Sequence, residues 1–292
     1  MTLQSVILTC LKISIALSVF DLGLRATFSD ATYMFRHPRD LVRSLVSMNV
    51  LMPLLALWMA LRFELNPAVK LALVALSVSP VPPMFPRRAE KAGGSDEYSI
   101  GLLVAASILA IAVIPATMWI FGRIGNVPLQ ISPLSVAIMA FTSILAPLLV
   151  GISLRAELPK FAETLAEPIG KWATALLILC AIPILVGSIK AIVSLVGDGT
   201  LFAFSAFALV GYLIGDTLGR PEPDKRRVLA FATATRHPAI AIAIAHTNFP
   251  QQKLAIPAIG LYLIVSFIVT GLAAMRKPTG TAPTQTSERL AA

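Results

Sequence analysis

Residues 231–249 read FATATRHPAIAIAIAHTNF, where an arginine, a histidine and a proline interrupt an otherwise apolar run long enough for a helix. In lipid that interruption is costly. A charged side chain at the membrane centre costs at least about 2.5–3.5 kcal/mol, and a proline inside a helix removes a backbone donor and clashes with the preceding turn. Such a break persists where packing or function holds it, so Arg236, His237 and Pro238 predict one half of a transport site. Arg236 lies eleven residues beyond Lys225. At helical rise that is about 16 Å, too deep for the head group to snorkel back to the interface.

The whole chain shares this apolar character. Its 292 residues are 57% hydrophobic and 13% charged, about half the charged content of an ordinary soluble domain. A membrane span takes about 20 apolar residues, so the length is filled by nine or ten helices with short connections and no soluble domain. The net charge of +9 would suit a nucleic acid if the cations formed a stripe with interleaved aromatics. They lie instead in short clusters between apolar runs, so no nucleic-acid partner is expected and the lipid bilayer is the partner. Cys10 and Cys180 sit in separate apolar runs without metal-ligand spacing and read as packing residues. The first apolar run lacks a small-residue cleavage site after it and reads as a retained span.

Apolar blocks fall near 3–24, 41–63, 67–84, 97–121, 130–154, 170–190, 199–218, 228–248 and 252–275. They predict an all-α polytopic membrane protein of about nine transmembrane helices. Counting Lys and Arg on alternate sides of these blocks gives seventeen on one side and five on the other, with Lys12 and Arg236 inside blocks. That asymmetry places the N-terminus outside and the C-terminus in the cytoplasm of a plasma-membrane protein. Residues 278–292, PTGTAPTQTSERLAA, are polar and predict a disordered cytoplasmic tail.

A second block is broken as well. Residues 79–88 read SPVPPMFPRR, with Pro80, Pro82, Pro83 and Pro86 within seven positions, and no continuous helix holds them. Proline-interrupted segments at corresponding places in two halves point to the binding site of a secondary transporter built from inverted repeats. Here each break is followed by one further span, 97–121 and 252–275.

With these residues in view, the chain resembles the bile acid:sodium symporter family along nearly its whole length. Phe20-Asp21-Leu22-Gly23-Leu24 is similar to the family's MGL segment, and Phe35-Arg36-His37-Pro38 followed by Met52-Pro53 to its F-[KR]-x-P and MP marks. Gly94-Ser95 through Ser99 resembles its G-[ND]-x-A-L-S run, and Gly211-Tyr212-Leu213-Ile214-Gly215 its GYLLG. Their order and spacing carry the resemblance. It implies a panel domain, about 3–24 and 130–190, and a core domain, about 41–121 and 199–276. It also implies two broken helices, 67–92 and 225–249, crossing at sodium sites, and a small organic anion as substrate. Ten-span members have one more helix before the point where this chain starts, so the resemblance is to the nine-span form.

The resemblance also shows departures. With Pro80 and Gly94 as anchors, the positions of the family's sodium ligands fall on Phe85, Pro86, Ala232, Arg236, His237 and Met48, the last beside Asn49, and only Ser99 keeps a ligating side chain. A hard cation needs several oxygen ligands, usually with a carboxylate. Sodium is the one ion in question, the replaced ligands weigh against it, and no cofactor is expected. Arg236 instead puts a permanent cation where the family binds a mobile one, since a guanidinium keeps its proton in a protein. It would hold the crossing together and offer positive potential to an anion, with Asp96, Glu97 or Asp216 as carboxylate partners.

Each residue also has a plainer reading. His237 titrates near neutrality when unperturbed and could carry a coupling proton, or merely bond a freed carbonyl. Arg87 could guide an anion or anchor the membrane face, and Thr233 and Thr235 could line a path or bond back to their helix. His246, Lys12 and Asp21 read as packing or interface residues. The alternation of Ala and Ile over 239–245 would let a neighbouring helix come close. No HExxH, GxGD-type aspartate or spaced Ser/His pair suggests an enzyme. The expected function is secondary transport of an organic anion by alternating access. The alternatives are a sodium-independent exchanger or efflux carrier, or a non-transporting sensor on the same fold.

Overall fold

The computed structural model describes residues 3–125, 129 and 131–275. The predicted tail, 278–292, lies outside the described residues. Among them every regular element is a helix. Helix α1 is Leu3–Arg25 and α2 Phe28–Arg36; α3 runs Pro38–Arg62 with a π-helical stretch at Val46–Leu51; α4 is Pro67–Val78 and α5 Phe85–Lys91. Then follow α6 (Asp96–Gly125), α7 (Pro133–Glu157), α8 (Pro159–Val193), α9 (Thr200–Leu218), α10 (Pro223–Ala234), α11 (Pro238–Asn248) and α12 (Ala255–Met275). Every apolar block of the sequence falls on one of these helices or on a broken pair.

Among the described residues six helices are long and apolar enough to cross a membrane: α3, α6, α7, α9, the α10–α11 pair and α12. Their outward side chains fit that setting. Trp58, Leu61, Trp119, Leu134, Phe141, Phe202 and Phe267 are all exposed, an apolar exterior that water would penalise and lipid does not.

Helices α1, α7 and α8 pack on one another as one layer, and the remaining helices form a larger bundle. Glycines set the close approaches. A Cβ at Gly151 would lie 2.5 Å from the Phe20 carbonyl oxygen, and one at Gly215 2.3 Å from that of Leu229, so α1 meets α7, and α9 meets α10, backbone to backbone. Cys10 and Cys180, read above as packing residues, are neighbours between α1 and α8. The register agrees, since Ser14 Oγ donates to the Ala173 carbonyl at 2.8 Å on the same pair of helices.

Helix α2 is an element that hydropathy did not predict. A capping box starts it: the Thr27 side chain accepts from the Asp30 N–H and the Asp30 carboxylate accepts from the Thr27 N–H. Ala31, Tyr33 and Met34 are buried, and Gly101 of α6 lets the Tyr33 turn approach to within 2.9 Å of where a Cβ would sit.

The buried apolar side chains form two large clusters. One gathers Leu73, Leu76, Ile114, Phe204, Phe207, Ile244 and Tyr262; the other gathers Met48, Val81, Phe85, Tyr98, Leu148, Val228 and Phe231. The chain passes from one to the other at the two breaks, so the polar groups of the breaks lie where the clusters meet.

Candidate functional site at the helix breaks

Prolines make this site by removing donors. In a helix each carbonyl accepts from the N–H four residues on, and proline has none. Four residues beyond Ser79 is Pro83, and four beyond Ala234 is Pro238. In the π-helical stretch the partner is five residues on, and five beyond Met48 is Pro53. Among the carbonyls freed in this way these three are buried, and each takes a substitute donor from a side chain.

Arg236 supplies two of the three. Its Nη1 donates to the Ser79 carbonyl at 3.2 Å and its Nη2 to the Met48 carbonyl at 3.3 Å. Tyr262 of α12 supplies the third, its hydroxyl donating to the Ala234 carbonyl at 2.7 Å. The breaks themselves are joined by the His237 N–H, which donates to the Pro80 carbonyl at 2.8 Å. Ser79 and Thr235 are extended at the ends of α4 and α10, so residues 235–237 form a true break. The residue before a proline avoids the helical region, which explains both Ser79 and His237.

Arg236 is fully buried, and no carboxylate pairs with it among the described residues. Of the partners expected from sequence, Asp216 is held by Arg226 at 2.7 Å, and Asp96 and Glu97 open α6. The guanidinium is met instead by the Ser79 carbonyl at the C-terminal end of α4, where the helix dipole favours a cation, and by the Met48 carbonyl of the π-helical stretch. Its Nε and the His237 Nδ1 are buried without a protein partner among the described residues.

The flanking hydroxyls are engaged as well. Thr233 Oγ1 meets Ser47 Oγ from the π-helical stretch and also donates to the Leu229 carbonyl, while Thr235 Oγ1 donates to the Phe231 carbonyl at 2.7 Å. Thus Arg236, His237, Pro238, Thr233 and Thr235 share the crossing with Pro80, Pro82 and Pro83, and Asn49 follows Met48 on the same stretch. Ser99 bonds within its own helix, to the Asp96 carbonyl at 3.0 Å, and Arg87 pairs with Asp21 of α1. Sequence reasoning missed Ser47, Ser79, Tyr262 and the Met48 carbonyl. The proline spacing could have found the freed carbonyls but not their donors.

Met48, Phe85, Pro86 and Ala232 are buried with no side-chain oxygen, and the two carbonyl oxygens nearest the arginine already accept from it.

Apolar-surfaced helices long enough to span, together with two broken segments joined through their breaks by backbone and arginine, fit a polytopic helical membrane transporter. The chain belongs to the Sodium Bile acid symporter family, whose pattern matches residues 12–195. It is similar to Sodium/bile acid cotransporter 4 of Mus musculus, 26% identical over 247 residues, covering 81% of this chain and 56% of that protein. It is also similar to a probable sodium/metabolite cotransporter, BASS2, chloroplastic, of Oryza sativa subsp. japonica, 21% identical over 256 residues, covering 82% and 57%. The chain thus spans little more than half the length of these relatives.

Proposed function

We propose that the protein is a secondary carrier of a small organic anion in the plasma membrane, in which Arg236 replaces the travelling sodium ion with a tethered cation. Helices α1, α7 and α8 act as the panel and the remaining helices as the core, in a nine-span inverted repeat with the N-terminus outside. The core rocks against the panel and exposes the crossing to either side in turn. No soluble cofactor or nucleic acid takes part.

The observation that carries this reading is the fully buried guanidinium held by the Ser79 and Met48 carbonyls without a carboxylate. A cation placed so leaves positive potential over the crossing, which suits an anion. The oxygen ligands that sodium would require are apolar side chains instead. The relatives' names supply the substrate class, bile acids or metabolites.

The test is uptake of a panel of organic anions into proteoliposomes, with sodium, proton and voltage gradients imposed one at a time. Saturable flux of at least one anion that ignores the sodium gradient is expected. Flux strictly dependent on sodium would overturn the tethered-cation reading, and specific binding with no flux of any anion would favour a sensor.

A further inference from the structure

The layer and the bundle touch chiefly through apolar side chains, with one exception. Asp21 of α1 is fully buried, and the guanidinium of Arg87, from α5 of the bundle, pairs with its Oδ2. Among the described residues this is the sole ion pair joining the two groups of helices; all the others lie within one group. Gly170 of α8 makes room for it, since a Cβ there would lie 2.9 Å from Asp21 Oδ2 and 3.0 Å from Arg87 Nη2.

We infer that Asp21 and Arg87 form a latch that closes the cytoplasmic side of the seam between panel and core, and that opens once per transport cycle. The inference rests on the alternating-access reading. Two features distinguish a latch from a rivet. The first is that each charge has a second partner on its own side. Asp21 Oδ1 also accepts from Arg25 Nε at 3.2 Å, one turn along α1, and Glu90 follows Arg87 one turn along α5, within reach once the seam parts. When the seam parts, neither charge is left bare in a low-dielectric gap, which would otherwise forbid the motion. The second is position: α5 follows directly on the Pro80–Pro83 break, whose Pro80 carbonyl holds His237, so a shift of the crossing is passed to Arg87 through four residues.

Ser18 lies one turn deeper than Asp21 on α1, buried, with no hydrogen-bond partner for its hydroxyl among the described residues. In full-length protein carrying Cys10→Ala and Cys180→Ala, Ser18→Cys places a thiol behind the latch. A membrane-impermeant maleimide added to the cytoplasmic face of inside-out vesicles should label it slowly. Arg87→Gln and Asp21→Asn should each speed labelling by about tenfold or more, and the double variant by no more than the larger single effect, because both remove one contact. Unchanged rates in variants that elute and melt as folded protein, or effects that multiply, would overturn the latch. Should either neutral variant fail to fold, Arg87→Lys is read instead: it keeps the charge but loses the fork, and an unaltered rate there also overturns it. Labelling needs no substrate. A protein that shows this pattern yet moves no anion keeps the latch and loses the carrier reading.

Discussion

Replacing Arg236 by glutamine removes the charge and both of its hydrogen bonds, because the amide ends about where the arginine Nε lies, short of Nη1 and Nη2. In the native protein two charge-assisted hydrogen bonds, at 3.2 and 3.3 Å, are long, and at the low end of such bonds they contribute about 1.5 kcal/mol each. Against them stands the cost of the buried charge, at least about 2.5–3.5 kcal/mol in a membrane. The two sums nearly cancel, so the arginine is not there for stability. Arg236→Gln should therefore shift the melting temperature in detergent by no more than about 4–8 °C, the equivalent of about 2 kcal/mol. Transport should suffer far more. Losing the positive potential that attracts the proposed anion should raise half-saturation by about tenfold or more, the equivalent of about 1.4 kcal/mol. Sodium should not rescue it, because Phe85, Pro86 and Ala232 still offer no oxygen. Proteoliposome uptake with sodium or choline outside reads both effects. Wild-type uptake by Arg236→Gln in either medium would refute the reasoning, and so would outright unfolding, which would make the arginine a structural cross-link.

Gly215→Ala puts a Cβ 2.3 Å from the Leu229 carbonyl oxygen and 2.6 Å from the Ala230 Cα; backbone cannot yield as a side chain can, so α9 and α10 should separate, seen as loss of the monodisperse peak in size-exclusion chromatography. Thr233→Val leaves Ser47 Oγ without its partner in a buried site and should cost about 1–3 kcal/mol, measured by thermal melting. Cys10 and Cys180, being neighbours, should cross-link under a mild membrane-permeant oxidant. Mass spectrometry should find both protected from alkylation until reduction, and two freely alkylated thiols would contradict the packing of α1 on α8.

What the sequence made legible was local. Pro80, Pro82, Pro83 and Pro238 act on their own turns, so both breaks could be placed to within a residue or two, and hydropathy alone marked the helices. Arg236 stood out because charge in lipid is expensive. Its partners did not, since the Ser79 and Met48 groups are backbone carbonyls, which every residue has. Tyr262 reads as one more aromatic in an apolar span until its hydroxyl is seen on Ala234. Asp21 looked interfacial because its partner, Arg87, lies 66 positions away and is brought to it by packing of the layer on the bundle. Helix α2 had a signal, Thr27 three residues before Asp30, but a short amphipathic helix is invisible to a search for spans.

On the proposed reading no cation travels with the anion, so the membrane voltage sets which way an anion runs downhill. A symporter cancels the anion's charge with cations that travel beside it, whereas Arg236 stays in the protein and cancels nothing in the net transfer. A monovalent anion moved alone into a cell with a negative interior works against about 2.3 kcal/mol per 100 mV. At equilibrium that is about a fiftyfold excess outside. Import would need an external gradient steeper than this, while export is favoured at any smaller one, and exchange of one anion for another avoids the voltage altogether. On the proposed tethered-cation reading, efflux or exchange is therefore the mode that this charge arrangement can drive without a second ion.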